Sequence, residues 1–200
     1  MRVSKEKAAE NRQDILTAAA RLFREQGVSA TGVDSITKDV SLTHGAVYSQ
    51  FGSKEAIAAE AIRLALRGSK RLWQRLAERK GTKKVFPAIV AEYLSREHRD
   101  SPGQGCVVAA LGADVARQPQ SVRDAFTEEF KDVLEFLAGV MPGDDPSRRY
   151  EDAIAAFASM AGALTLARAV SDETLSDLIL KTTAKRLIDP SNRQRAARRS

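Results

Sequence analysis

Two hundred residues with a 43% hydrophobic composition can bury a sizeable core, which excludes a mainly disordered chain. Aromatics are only 6%, and the apolar residues are mostly Ala, Leu and Val, a balance that suits packed helices better than sheets. One cysteine excludes an intrachain disulfide and any multi-cysteine metal site or iron–sulfur cluster, and the net charge of +6 is modest enough that its distribution matters more than its size. The charged opening MRVSKEKAAENRQD has no apolar stretch behind it, and no run approaches the length of a membrane span. The expectation is a cytoplasmic protein with no membrane partner.

From Arg12 to Gly27 the positions Ile15, Ala19, Leu22 and Phe23 recur at helical spacing, Leu16 widens the stripe, and Gly27 supplies a stop. Thr31 reads as the N-cap of a helix of about two turns that presents Val33, Ile36 and Val40 on one face, with Asp34 three positions after the cap. Ser41-Leu42-Thr43 interrupts it, Thr43 caps a second short helix from His44 to Gln50, and Phe51-Gly52-Ser53 breaks the chain again. Ser53 caps a long helix from Lys54 to about Lys80, with Ile57, Ala61, Leu64, Ala65, Leu72, Trp73 and Leu76 inward. Further helices are expected over 84–99, 106–117, 119–140, 147–170 and 172–188, with the clearest loop at 100–105. The chain is therefore expected to be all-α, with about nine helices and no strand. Residues 191–200, with four arginines and no acid, read as a disordered basic tail. Residues 1–54 carry a net +2, 55–100 a net +5 and 101–192 a net −5, so the basic surplus lies in the first half and the tail.

Two short helices joined by a tight turn and held by a longer one are the arrangement that places the second short helix in a DNA major groove. The string Ile36-x6-Thr43-x-Gly45-x2-Tyr48-x2-Phe51-x-Ser53-Lys54-Glu55-x-Ile57 closely resembles the signature of TetR-family transcriptional regulators. Ala18-Ala19-x2-Leu22-Phe23-x3-Gly27-x3-Thr31 is similar to that family's first helix and its lead into the second. The resemblance covers residues 12–57. It implies a DNA-binding domain over about 10–70, with its helix-turn-helix at about 33–52, and a ligand-sensing and dimerisation domain over 71–190. It also implies a repressor, released from a palindromic operator by a small-molecule effector or thiol modification, that dimerises through its last two helices.

The candidate DNA contacts follow from side-chain chemistry. Thr43 caps the recognition helix and can reach a phosphate, Gly45 lets the helix sit close to the groove, and Tyr48 offers a phenol to a phosphate. His44, Ala46, Ser49 and Gln50 are candidates for base edges. Lys54 at a helix start can share a phosphate with free backbone N–H groups, and Thr31, Gly32 and Val33 form the matching backbone clamp. Arg2, Lys5, Lys7 and Arg12 form either a basic arm or a frayed, solvated terminus. The chain departs from the family pattern at Ser41, where Gly is usual in the turn, at Thr37 and Asp39, where Ala is common, and at Gln50, where His or Tyr is common.

In the penultimate helix Ala155, Ser159, Ala163 and Ala167 recur every fourth position, giving a face flat enough for close helix approach. Leu164, Leu166, Leu175, Leu178, Ile179 and Leu187 are candidates to complete that interface. The stretch from Gly105 to Arg117 resembles a segment of TetR-family repressors that respond to electrophiles and oxidants. Cys106 there is either a sensing thiol at a helix start or core packing. Arg168, flanked by no other charge between Asp152 and Asp172, is a candidate to pair with an acid, bind an anionic ligand or stabilise a Cys106 thiolate. Phe86, Tyr93, Phe126, Phe130, Phe136, Phe157 and Met160 either line a ligand pocket or form ordinary core. No Gly-rich phosphate loop, HExxH or GxSxG is present, so no catalytic residue, cofactor or metal is assigned and no enzyme is expected. The rival reading is a non-enzymatic helical module that binds only a ligand or another protein.

Overall fold

The structure, a computed structural model, describes residues 4–189, and every regular element among them is helical. In chain order these are α1 (Lys5–Gln26), α2 (Val33–Asp39), α3 (His44–Phe51), α4 (Lys54–Lys80), α5 (Thr82–Tyr93), α6 (Arg96–Asp100), a 3-10 turn (Pro102–Gln104), α7 (Val107–Val115), α8 (Gln120–Val140), α9 (Pro146–Ala169) and α10 (Glu173–Ile188). The all-α expectation holds. The basic tail and Arg2 lie outside the described residues.

Three local features differ from the sequence reading, each for a reason of hydrogen bonding. Helix α1 starts at Lys5 because Ser4 accepts the Lys7 N–H at 3.1 Å, and Lys7 pairs with Glu10 at 3.1 Å; these first turns are polar, so apolar periodicity does not report them. The helix expected over 84–99 is two helices, since Ser95 turns extended and accepts the His98 N–H at 3.1 Å to cap α6. The N-cap of α2 is Gly32, with no side-chain cap bond, while the buried Thr31 hydroxyl donates to the Gly27 carbonyl at 2.8 Å and tethers the loop back to α1.

The chain forms two compact units, Met1–Gly68 with Pro102–Phe130, and Ser69–Ser101 with Lys131–Ser200. In the first, α1 is central, packing on α2, α3, α7 and the 3-10 turn, with Ile15, Ala19 and Phe23 fully buried. The short helices contribute Ile36 and Val47, both at 0% exposure. At Gly103 the 3-10 turn lies against the Arg21 and Glu25 side chains of α1, and a Cβ there would oblige the flexible Glu25 carboxylate to move. Arg24 Nε donates to the Gly103 carbonyl at 2.8 Å, and Asp114 of α7 accepts the Val28 N–H at 2.5 Å just beyond the end of α1. Residues 102–130 thus join the N-terminal helices by specific polar contacts as well as by packing. On α4, Arg63 pairs with Glu128 at 2.6 Å and Arg67 with the buried Glu129 at 2.5 Å.

In the second unit α9 packs on α10, α10 on α5, and α6 on α9. Trp73, Tyr93 and Phe157 form a buried ring cluster with centroids 6.0–6.3 Å apart. The every-fourth small-residue stripe on α9 does not stay on one face. Each step of four advances about 40° around the axis, so Ala155 and Ser159 are exposed while Ala163 and Ala167 are buried. The exposed line instead runs through Ile154, Ala158, Gly162, Thr165, Leu166 and Ala169, and Leu175 and Leu178 of α10 are exposed as well. Leu164 is fully buried within the protomer. No helix among the described residues is long and apolar enough to cross a membrane.

Candidate nucleic-acid interface

The turn between α2 and α3 is closed by two backbone bonds, Leu42 N–H to Thr37 carbonyl at 3.0 Å and Ser41 N–H to Lys38 carbonyl at 3.4 Å. This pairing is a Schellman motif and requires a left-handed residue at its corner. Ser41 occupies that corner with φ 54°, the only positive φ at a non-glycine among the described residues. Ser41, standing where Gly is usual, therefore bears the cost of a left-handed backbone. Ser41→Gly should raise stability by about 0.5–1 kcal/mol, seen as a rise of about 1–4 °C in Tm by calorimetry; an unchanged or lower Tm would show that Ser41 is not strained.

Helix α3 begins at Thr43, whose hydroxyl accepts the Ala46 N–H at 3.2 Å. Val47 and Phe51 point into the first unit, and His44, Gly45, Tyr48 and Ser49 are exposed on the other side of the helix. Positions i, i+1, i+4 and i+5 share one helical face, so these four form a continuous strip. Tyr48 is 41% exposed, a large value for an aromatic side chain on a packed helix. No atom outside the helix's own backbone lies within 4 Å of an ideal Gly45 Cβ, which leaves the strip open to a closely approaching surface. Thr43 is exposed, and Ala46 and Gln50 are half-buried at the margins. The Ser49 hydroxyl donates to the Ala46 carbonyl at 2.9 Å, leaving its lone pairs outward.

His44 Nε2 lies 2.5 Å from Asp34 Oδ1, and its ring centroid lies 5.5 Å from that of Tyr48. Asp34 thus joins the candidate strip from α2, a partner that reading α3 in isolation misses. Lys54 Nζ donates to the Ser29 carbonyl at 3.2 Å, bringing the start of α4 to the loop that precedes α2. Gly32 at the start of α2 is exposed, whereas Thr31 and Val33 are buried, so only backbone N–H groups of that clamp can meet a ligand. Arg12 is no part of a mobile arm. Its guanidinium donates to the Gln50 carbonyl at 2.8 Å, pairs with Glu60 and lies 4.1 Å over the Phe51 ring.

Residues 15–61 match the family described as Bacterial regulatory proteins, tetR family. The helix-turn-helix region of this chain belongs to the TetR family. The chain is a helix-turn-helix transcriptional regulator, with α2 and α3 as the two helices of the motif. Over 59 residues this TetR-family chain is 44% identical to the HTH-type transcriptional regulator AcrR of Shigella flexneri, a match spanning 30% of this chain and 27% of AcrR. It is 25% identical over 179 residues to an uncharacterized HTH-type transcriptional regulator of Mycobacterium tuberculosis, covering 84% of this chain and 89% of that one. Among solved structures, reduced NemR of E. coli superposes with a TM-score of 0.76 at 18% identity, covering 90% of this chain and 95% of NemR. FadR of Bacillus subtilis, crystallised with stearoyl-CoA, gives 0.67 at 17% identity over 88% of this chain and 97% of FadR. At these identities the two structures speak for the fold.

Outside the helix-turn-helix, this TetR-family regulator places Cys106 and Arg168 in different units. Cys106 is buried, is in no disulfide and is the N-cap of α7. Burial drives the Arg24 guanidinium below its ordinary value, an effect that Cys106, 82 positions away in sequence, partly offsets. Arg168 donates through Nε to the Arg99 carbonyl at 3.0 Å and through Nη2 to the His98 carbonyl at 2.6 Å, so these two donors close the end of α6. Its charge also helps to hold the Asp100 carboxyl below its ordinary range, behind the larger effect of the Arg99 hydrogen bond. Among the described residues, no group of three or more His, Cys, Asp or Glu is placed to hold a metal ion.

Proposed function

We propose that this regulator is a cytoplasmic, non-enzymatic repressor that binds double-stranded DNA as a homodimer and lets go when a small molecule or a thiol modification acts on it. The observation that carries this reading is the exposed strip His44, Gly45, Tyr48 and Ser49 on α3, backed by buried Val47 and Phe51. Such a helix can enter a major groove with its side chains toward base edges. Tyr48, Thr43 and Lys54 then contact phosphates, with the N–H groups at Gly32 and Val33 adding a backbone clamp that Thr31 holds in place. His44, Ala46, Ser49 and Gln50 read bases. Residues 10–70 are assigned the DNA-binding role, and 71–190 the sensing and dimerisation roles.

A dimer needs a partner surface, and exposed Ile154, Leu166, Leu175 and Leu178 on the last two helices supply the apolar one. Two copies of α3 should then sit about 34–36 Å apart on an approximately palindromic operator. Effector release works by differential affinity for two arrangements of those helices. Cys106 beside Arg24 is the candidate thiol if modification is the signal, and Arg168 holds the backbone of the sensing region.

The test is selection of duplexes by the purified protein from a random 30-base-pair library, followed by binding at 50 and 200 mM salt. Dimeric phosphate contacts numbering about 6–10 should cost roughly 10³–10⁵ in affinity over that range. A protein that selects no duplex, or whose association changes little with salt, would instead be the helical interaction module.

A further inference from the structure

Arg12 lies 38 residues before Gln50 and 48 before Glu60, and makes two contacts at the C-terminal end of α3 and a third on α4. Its Nη1 donates to the Gln50 carbonyl at 2.8 Å, its Nη2 grips both Glu60 oxygens, and its guanidinium carbon lies 4.1 Å from the Phe51 ring centroid. The carbonyl matters because the last carbonyls of a helix have no intrahelical donor. The recognition helix spans only eight residues, His44 to Phe51, so a contact at its last turn sets the direction of the whole element. Glu60, on α4, fixes the rotamer of Arg12, while Phe51 is the apolar anchor beneath it. A planar fork with five donors can meet a carbonyl, a carboxylate and an aromatic face together; an ammonium on a flexible stem cannot hold all three.

We propose that Arg12 is a positioning residue for DNA recognition, fixing the end of α3 and with it Gln50 against the bases, so that discrimination between sequences depends on it more than general attraction to DNA does. The inference rests on the reading of α3 as the recognition helix. It separates sharply from the alternative that Arg12 is itself a phosphate contact. If Arg12 touched phosphate, removing the Glu60 charge would release it toward DNA and tighten binding. If Arg12 positions α3, the same change loosens the fork and weakens recognition, even though the protein becomes more positive.

The experiment compares wild type, Arg12→Lys and Glu60→Gln on a duplex selected by the wild type from a random 30-base-pair library and on its scrambled counterpart. Binding is measured across a salt series, with Tm recorded for each protein. The expected result is a tenfold or greater loss on the selected duplex for both variants, with affinity for the scrambled duplex and the salt slope held within twofold. Lys at position 12 keeps the charge, so its failure to rescue assigns the role to the fork. The proposal is overturned if Glu60→Gln binds the selected duplex more tightly, if Arg12→Lys keeps the wild-type preference, or if both duplexes weaken equally in step with the folded fraction. Should Arg12→Lys fail to fold, Glu60→Gln still decides by the sign of its effect. A wild type that selects no duplex at all overturns the DNA-binding reading itself, and this inference with it.

Discussion

Gly45→Glu should lower affinity for the selected duplex by two to three orders of magnitude while leaving the protein folded. Position 45 is exposed near the start of α3, and a Cβ there meets nothing within 4 Å, so the larger side chain has room in the free protein. Replacing Gly inside a helix should even stabilise the chain, by roughly 0.5–1 kcal/mol. Loss of DNA binding therefore cannot be credited to unfolding. Its cause is local: a carboxylate on two methylene groups sits where the helix backbone must approach the groove, and like charge brought against phosphate costs several kcal/mol. Fluorescence anisotropy with the selected duplex reads the affinity, and calorimetry reads the fold. Gly45→Ala, which adds one methyl group without charge, should fall between wild type and the Glu variant. Wild-type affinity in Gly45→Glu would remove α3 from the groove.

Leu178→Glu should separate the protomers and reduce operator affinity by about a hundredfold or more. Leu178 is 56% exposed and Leu166 57%, large values for leucines on two helices that pack on each other. A charge at position 178 should shift protomer stability by no more than about 0.5 kcal/mol, because the residue makes little use of the protomer's own core. In the proposed dimer the same site would be buried against apolar surface, where a carboxylate would have no partner to offset its desolvation. Binding of the second recognition helix is intramolecular only while the dimer holds, and effective concentrations from short linkages reach the millimolar range. Breaking the dimer removes that advantage without touching α3. Sedimentation equilibrium reports the mass and anisotropy the affinity; a variant that stays dimeric would move the interface away from α10.

What was legible in the sequence was local. The helical periodicity of Ile15, Ala19, Leu22 and Phe23, the cap at Thr43, the break at Gly52 and the strain at Ser41 all depend on residues within a few positions of one another. The inward direction of Val47 and Phe51, and the outward direction of Tyr48, follow from the same short-range geometry. Spacing carries less where local signals are weak. Polar turns hide the start of α1, the Ser95 cap lies inside an otherwise continuous pattern, and a stripe with period 4 drifts around a helix that turns every 3.6 residues.

Other features were settled by the tertiary structure alone. Arg12 meets Glu60, Arg24 meets Gly103 and Cys106, Asp114 accepts from Val28, and Arg168 closes α6, at separations of tens of residues. A charged side chain in a sequence carries no mark of which distant group it will face, because its partner is chosen by how the helices pack and not by spacing along the chain. For the same reason residues 102–130 group with the N-terminal helices across an intervening segment, and the unit that holds the helix-turn-helix is discontinuous. The sequence by itself determined the helices, the turn between α2 and α3 and the family, since each rests on short-range backbone and side-chain chemistry. Which charged side chains hold the recognition helix and α7 in place was decided only when burial of the apolar faces brought distant residues together.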